Sequence, residues 1–338
     1  GSDLWARAFV QKRAIVDYLG SDDGSEDALP ALDQLARIFE TNGDRLWLGR
    51  AEYQKANLHW DRYELSATEA ALERALICAR VAESPCDIAR VLGSMTAVLL
   101  LGPQPVPEAI IRCEEIIALP ETSLLVKAKS LLRLAGLKAM QEEFPTARGL
   151  IEEGRSLLQD LGHNFALAAS SHEAGMVEVL AEDHAAAEAE FRAGIAKLEA
   201  MQEKATLASS AAFLSRVLYT QERYDEALEW TWTSEAAWNG DSLGIVEWGP
   251  TRAKLTARAG DIDEAKALAL AALEPVASSD DILTRTHSLL GVADVLLIAG
   301  RNRAALPYLE EVVALYRRKG ILSLEKSILR KLDAAIAA

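Results

Sequence analysis

The stretch Leu218-Tyr-Thr-Gln-Glu-Arg-Tyr-Asp-Glu-Ala227 decides the fold, because it contains the end of one helix, a short polar turn and the start of a second helix. The second helix opens with acidic residues, which interact favourably with the positive end of the helix dipole. The same arrangement returns along the chain, with turns at Tyr63, Gln104, Glu142, Glu182, Glu222, Gly260 and Gly300. The intervals of 41, 38, 40, 40, 38 and 40 residues are typical of helical solenoids, in which hairpins of two helices stack on one another.

Two columns of small residues give the hairpins their register. Small side chains at facing positions let two helices approach closely. The first column, seven residues before each turn, holds Ala56, Ala97, Ala135, Gly175, Ser215, Ala253 and Ala293. The second, five residues after each turn, holds Thr68, Ala109, Ala147, Ala187, Ala227, Ala265 and Ala305. A third column of mostly bulky residues, nine after the turns, fails at Ala269, where Leu268 and Leu270 indicate a one-residue slip.

The repeats divide the chain into three predicted parts. Residues 44–319 form seven hairpins, residues 1–43 form a degenerate N-terminal helix pair, and residues 320–338 form a C-terminal capping helix. Gly1 and Ser2 resemble the remnant of a cloning site. We therefore predict an all-α protein, a right-handed superhelical solenoid of about seven to eight hairpins of about 40 residues.

Composition and charge exclude several classes of partner. The chain has 36 Lys and Arg against 51 Asp and Glu, and its net charge of −15 would repel nucleic-acid phosphates. Its longest apolar runs are far shorter than a membrane span, so we expect neither a nucleic acid nor a membrane as partner. Three cysteines without CxxC spacing indicate a reducing compartment and hence a cytoplasmic protein.

Motifs that carry chemistry are missing from the sequence. It contains no GxxxxGK[ST] phosphate-binding loop. His172-Glu173 begins a zinc-protease motif, but Met176 occupies the position of the second histidine ligand. We therefore predict no catalytic residue, no metal site and no cofactor, and we expect that this chain is not an enzyme.

The columns resemble those of the tetratricopeptide repeat (TPR), with small residues 12 apart, a bulky residue four further on and a small one three beyond that. A narrower resemblance lies in the stretches 102–115, 188–194, 218–227, 252–260 and 315–320. They are similar to the C-terminal TPR regions of bacterial multidomain proteins that carry an adenylate or guanylate cyclase domain and an AAA/STAND-type ATPase, and to MalT-like LuxR-type regulators.

This resemblance implies a protein-interaction or sensor domain, the regulatory arm of a bacterial signal-transduction protein. Its partner would be a protein, a peptide or a small inducer held in the concave groove. The alternative is a stand-alone TPR adaptor or scaffold that binds a peptide of its partner. Reading the sequence upstream of Asp3 would separate the two.

The first helix of each hairpin lines the inner groove in TPR-like solenoids, and this resemblance places the candidate binding residues. They are Arg50, Tyr53, Asn57, Trp60, His172, Met176, Arg216, Tyr219, Lys254, Arg258, His287 and Asp294. A stripe of Arg216, Lys254 and Arg258 in an acidic protein would attract a carboxylate or a phosphate. The other interpretation is that these cations pair with Glu247, Asp294 and other acids of the groove.

A second candidate surface is a cluster of tryptophans, which lie within 19 residues of one another: Trp230, Trp232, Trp238 and Trp248. Trp230 and Trp232 are two positions apart on one predicted helix, so they cannot point the same way and one of them should be exposed. The cluster is therefore either packing between repeats or a docking patch for a partner.

Overall fold

The computed structural model describes residues 5–12, 28–238 and 244–337. Its helices are α1 Ala28–Thr41, α2 Arg45–Asp61, α3 Leu65–Val81, α4 Pro85–Leu101, α5 Val106–Ala118, α6 Leu124–Met140, α7 Phe144–Asp160, α8 Asn164–Leu180, α9 His184–Ala200, α10 Ala205–Thr220, α11 Tyr224–Ala237, α12 Ile245–Arg258, α13 Ile262–Leu273, α14 Ile282–Ile298, α15 Asn302–Lys319 and α16 Leu322–Ala337. Residues 5–12 are also helical. The predicted N-terminal helix pair is described only in part, because residues 1–4 and 13–27 lie outside the described residues.

Left-handed turn residues make the hairpins. The backbone angle φ is positive at Tyr63, Glu142, Glu182, Glu222, Gly260 and Gly300, which are six of the seven turns found in the sequence. A left-handed residue ends a helix and lets the next amide bond back to a carbonyl of the last turn, as Glu143 N does to Lys138 O at 3.0 Å. The chain thereby reverses within two or three residues, and the next helix packs antiparallel against the previous one.

The columns of small residues lie between the helices of each hairpin. All members of the second column are at most 2% exposed, and those of the first column are buried except for the half-buried Ala97. The predicted slip at Ala269 is wrong, because Ala269 is fully buried and Leu270 is 39% exposed. The small Ala269 therefore keeps the register of the column. The predicted all-α solenoid of stacked helix hairpins is confirmed.

The solenoid curls until its last hairpins contact its early ones. The Asp280 carboxylate accepts hydrogen bonds from the amides of Leu65, at 2.5 Å, and Ser66, at 2.8 Å. These are the first amides of α3, whose own N-cap residue Glu64 makes no side-chain cap. Beside them, Ser279 Oγ donates to the carbonyl of Tyr63 at 2.7 Å. A residue 215 positions away in the chain therefore caps the N-terminus of α3.

A buried lysine makes the second closing contact. Lys319 is fully buried, and its ammonium group donates to the carbonyls of Leu99, Gly102 and Gln104 at 3.0, 2.5 and 3.2 Å. This loop is the exception among the seven turns, since it contains no left-handed residue, and proline nitrogens in it have no proton to donate. The carbonyls of this loop thus accept their hydrogen bonds from Lys319, which belongs to the last hairpin.

Within the described residues, none of the helices is long and apolar enough to cross a membrane.

Candidate functional site

Two neighbouring cavities, both partly open to solvent, lie between the helices of the solenoid. The apolar cavity, of about 210 Å³, is lined by Met140, Met176, Val179, Leu180, His184, Phe213, Arg216, Val217, Thr220, Leu283, Thr286, His287, Leu290, Tyr316 and Leu324. The charged cavity, of about 420 Å³, is lined by Arg216, Tyr219, Thr220, Glu222, Tyr224, Lys254, Arg258, His287, Leu290, Gly291, Asp294 and Lys331.

The two cavities adjoin, because four residues line both of them: Arg216, Thr220, His287 and Leu290. Most of the walls come from the first helices of hairpins, α6, α8, α10 and α14, which present their inner faces side by side. The last helix, α16, adds Leu324 to one cavity and Lys331 to the other. The closed solenoid thus offers one composite space with an apolar part and a charged part.

The charged cavity contains more cations than carboxylates. Asp294 is shared by Lys331, at 2.6 Å, and Lys254, at 3.9 Å. The guanidinium of Arg258 donates to the hydroxyl of Tyr219 at 3.0 Å and lies over the ring of Tyr224. Burial lowers the pKa of Lys254 to about 8, although Asp294 opposes the shift. A carboxylate entering this cavity would offset that cost of burying positive charge.

Arg216 stands at the junction of the two cavities. Its guanidinium lies over the ring of Phe213 at 4.1 Å and donates from Nη2 to the carbonyl of Glu247 at 3.3 Å. Burial lowers the pKa of Arg216 to about 10 and raises the pKa of Glu247, and each shift is opposed by the charge of the other residue. Arg216 Nε and Glu247 Oε2 are buried without a hydrogen-bond partner among the described residues.

His287 faces Arg216 across this junction. Burial, together with the charges of Arg216 and Lys254, lowers the pKa of His287 well below its ordinary value, so the ring is neutral at pH 7. The ring hydrogen bonds to the backbone of Glu247, and Nε2 is left buried without a partner in the described part of the chain. Because buried polar atoms are normally satisfied, such atoms at a cavity wall indicate a site that a polar ligand or water completes.

The structure brings together seven of the predicted groove residues at the walls of these cavities: Met176, Arg216, Tyr219, Lys254, Arg258, His287 and Asp294. Of the two interpretations of the cations, pairing with acids holds for Lys254. The charge of Arg216 is opposed by the buried carboxylate of Glu247, the other acid of that interpretation, although the two side chains form no ion pair within 4 Å. Arg258 instead donates to the hydroxyl of Tyr219.

Five other predicted groove residues lie elsewhere. His172 is packed edge-on against Phe213 at 4.7 Å, and burial lowers its pKa to about 4, so it is a neutral side chain beneath the cavity wall. The remaining four, Arg50, Tyr53, Asn57 and Trp60, lie on α2 and line neither cavity. There, Arg50 pairs with Asp87, and the Tyr53 hydroxyl contacts Ser94, both on the next hairpin.

The tryptophan cluster is organised by Arg252. The Arg252 guanidinium is sandwiched between the rings of Trp232, at 3.6 Å, and Trp248, at 4.0 Å. Trp248 is buried and Trp230 and Trp238 are half-buried, whereas Trp232 is 54% exposed. The exposure expected from the spacing of Trp230 and Trp232 is therefore found at Trp232. Stacking on Arg252 gives these rings a packing role between hairpins.

Among the lining residues that the sequence did not single out, Lys331 and Tyr316 are polar. Lys331 lies in the predicted capping helix and Tyr316 in the second helix of its hairpin. Neither position belongs to the groove columns. Lys331 reaches the charged cavity through its ion pair with Asp294 of α14, and Tyr316 lies on α15, which packs against α14.

Comparisons with known proteins agree on the fold. No protein-family model and no curated protein matches the chain. Among solved structures, a Rap protein complexed with competence and sporulation factor aligns over 94% of this chain and 99% of its own, with 11% identity and a TM-score of 0.69. The apo form of RapI aligns over 93% of this chain and 86% of its own, with 14% identity and a TM-score of 0.54. The APC/C hetero-tetramer Cut9-Hcn1 aligns over 92% of this chain and 57% of its own, with 14% identity and a TM-score of 0.58. The chain is a TPR-like helical repeat protein. At these identities the likeness concerns the fold alone.

Proposed function

We propose that this chain is a peptide-binding adaptor, which holds a short segment of its partner in the central pair of cavities. The observation that carries the proposal is the joined apolar and charged space, whose walls contain buried polar atoms without partners. Pockets of this kind, mostly apolar with a few convergent polar groups, are the usual form of a ligand site. The proposal involves binding alone, without a catalytic step, metal or cofactor.

The size of the apolar cavity supports a side chain as its occupant. An engineered protein cavity of about 150 Å³ lined by Leu, Ile and Phe can hold benzene. The cavity of about 210 Å³ lined by Met176, Val179 and Leu290 is large enough for one aliphatic or aromatic side chain. It is far too small for a folded domain. A peptide, or a small molecule of similar size, is the class of ligand that fits.

The structural comparisons support the same class. The Rap protein that this chain resembles in fold was solved in complex with competence and sporulation factor. A solenoid of this architecture can thus hold a partner. Because the likeness concerns the fold alone, the ligand of this chain is argued from its own cavity. The narrower hypothesis of a regulatory arm behind cyclase or ATPase domains rests on the short sequence stretches quoted above, and it would use the same cavity as a sensor.

Selection from a randomised octapeptide library would test the proposal. Two variants serve as a matched pair: Leu290→Arg places a long cation where both cavities meet, and Leu270→Arg makes the same change on an exposed site of α13. We expect the wild type and Leu270→Arg to enrich the same peptides and Leu290→Arg to enrich none, with equal helical circular dichroism for all three. Equal enrichment by Leu290→Arg would show that peptides bind elsewhere. Native mass spectrometry of the purified chain would detect a small inducer instead.

A further inference from the structure

We infer that helix α16 is a movable lid over the two cavities, which swings away to admit a ligand and closes over it again. The inference rests on the proposed function, because it describes how a ligand reaches the same site. Three observations carry it: the position of α16, the weakness of its contacts, and the firmly held segment from which it starts.

Helix α16 bridges the two sides of the composite space. On one side, the ammonium group of Lys326 bonds to both carboxylate oxygens of Glu142, at 2.8 and 2.9 Å, in the turn that follows α6. On the other side, Lys331 bonds to Asp294 of α14 at 2.6 Å. The side chain of Leu324, near the start of the helix, forms part of the wall of the apolar cavity. Because α16 contacts both sides and lines both cavities, its displacement would widen the openings of both.

The contacts that hold α16 in place are weak. In the described chain, two of its sixteen residues are buried, Ile328 and Ala335, whereas α15, of similar length, buries seven. The ion pairs to other hairpins lie at the surface: the side chain of Lys326 is 73% exposed, and that of Arg330, 3.8 Å from Glu182, is 74% exposed. Exposed ion pairs contribute little to stability and are screened by salt. A segment with few buried apolar contacts opens at a low cost in free energy.

The segment from which α16 starts is held firmly by the hairpin before it. Gly320 ends α15 in a left-handed conformation, with a φ of 79°, which glycine adopts without strain. Its neighbours Lys319 and Ile321 are fully buried, and its carbonyl accepts a hydrogen bond from Gln141 Nε2 at 2.6 Å. A short connection between a fixed helix and a loosely held one is where a hinge absorbs the change in backbone angles. Opening therefore moves α16, while α15 and the closing contact of Lys319 stay in place.

Cysteine labelling measures this opening without any ligand. Met140 lines the apolar cavity together with Leu324 and is 1% exposed, so the cysteine in Met140→Cys should react with N-ethylmaleimide when α16 moves away. The buried Cys78 and Cys113 report global unfolding in the same sample, and mass spectrometry of peptides separates the three sites. We expect position 140 to react faster than both. Its rate should rise roughly threefold between about 20 and 500 mM NaCl, because salt screens the ion pairs of α16.

A charge swap assigns the opening to α16. In the Met140→Cys background, Lys326→Glu replaces an attraction to Glu142 by a repulsion, and should accelerate labelling at position 140 by roughly 3- to 10-fold. Adding Glu142→Lys restores an ion pair of reversed polarity and should return the rate close to its original value. The control, Arg303→Glu, makes the same change of charge at an exposed position of α15 that lines neither cavity, and should leave the rate unchanged. Equal rates in all variants, or a parallel acceleration at the two buried native cysteines, would overturn the lid.

Hydrogen exchange of the chain without the Met140→Cys substitution gives an independent measurement. Peptides from α16 should exchange faster than peptides from α15, because α16 has fewer buried residues. Lys326→Glu should accelerate exchange in α16 and leave α15 unchanged. Equal protection of the two helices would contradict a movable lid.

Peptide association separates the lid from the proposed function. For a peptide selected from the octapeptide library, Lys326→Glu should raise the association rate constant by about the same factor as the labelling rate, because both follow the open fraction. If no peptide is selected, the proposed function fails, while labelling still decides whether α16 opens. If labelling accelerates but peptide association stays unchanged, ligands enter by another route, and α16 does not control their admission.

Discussion

Asp280→Ala should destabilise the N-terminus of α3, although Asp280 and Leu65 are 215 residues apart in the chain. The substitution removes the acceptor for the amides of Leu65 and Ser66, which have no partner within their own helix. Loss of an N-cap costs about 0.5 to 2 kcal/mol, and a charged acceptor lies in the upper part of that range. Because Asp280 is only half-buried, water can replace part of the lost hydrogen bonding. We therefore expect the N-terminus of α3 to lose about 1 to 1.5 kcal/mol of stability.

Amide hydrogen exchange measured by NMR is the assay for this effect. A loss of about 1 to 1.5 kcal/mol corresponds to roughly five- to tenfold faster exchange at Leu65 and Ser66. Asp280→Asn should retain most of the protection, because asparagine is a good capping acceptor. The control is Asp183→Ala, which removes a local cap from Ala186 and should leave α3 unchanged. Unchanged exchange at Leu65 and Ser66 in Asp280→Ala would refute the closure of the solenoid.

Three further predictions follow from packing and charge. Ala227→Leu should lower the free energy of unfolding, measured in urea, by about 1 to 3 kcal/mol, because the larger side chain overpacks a fully buried position. Glu226→Leu on the same helix should change this free energy by less than about 1 kcal/mol, since Glu226 takes part only in surface ion pairs. Equal effects of the two substitutions would contradict the register of the hairpins. Gly175→Ala would place its Cβ 2.6 Å from the ring of the fully buried Phe191, so the thermal midpoint should fall by several degrees, and an unchanged midpoint would refute this contact. Burial lowers the pKa of His172 to about 4, so this ring takes up a proton at a lower pH in the folded state than in the unfolded state. The free energy of unfolding should therefore decrease as the pH falls from 6.5 towards 4. His172→Leu should reduce this dependence in urea titrations at pH 7 and pH 5, and His287, whose pKa is also lowered, accounts for a remaining part. An identical dependence in the variant and the wild type would contradict the role of His172.

Local sequence signals were sufficient for the hairpins. The turn at Glu182 and the small residue Ala187 five positions later are both local features, and the left-handed turn and the buried contact follow from them. The repeat then extends the same local geometry along the chain. This is why the all-α solenoid could be predicted in advance, together with the inner position of Arg216 and Lys254.

Closure could not be predicted, because it depends on small rotations that accumulate over many repeats. The sequence does not indicate that Lys319 reaches the carbonyls of Leu99 and Gly102, more than 200 positions earlier. The same reason explains the errors in the site. The column rule treats all repeats alike, but closure places the cavities beside α10 and α14, while Tyr53 on α2 serves a contact with the next hairpin.

A crystal structure of the chain with a peptide selected from the randomised octapeptide library tests the central claim most directly. The account predicts density for the peptide between α10, α14 and α16, beside Arg216, His287 and Leu290, which line both cavities. One apolar side chain of the peptide should fill the apolar cavity beside Leu290. A peptide found on the exposed ring of Trp232, or on the outer face of the solenoid, would contradict the claim that the central cavities are the binding site.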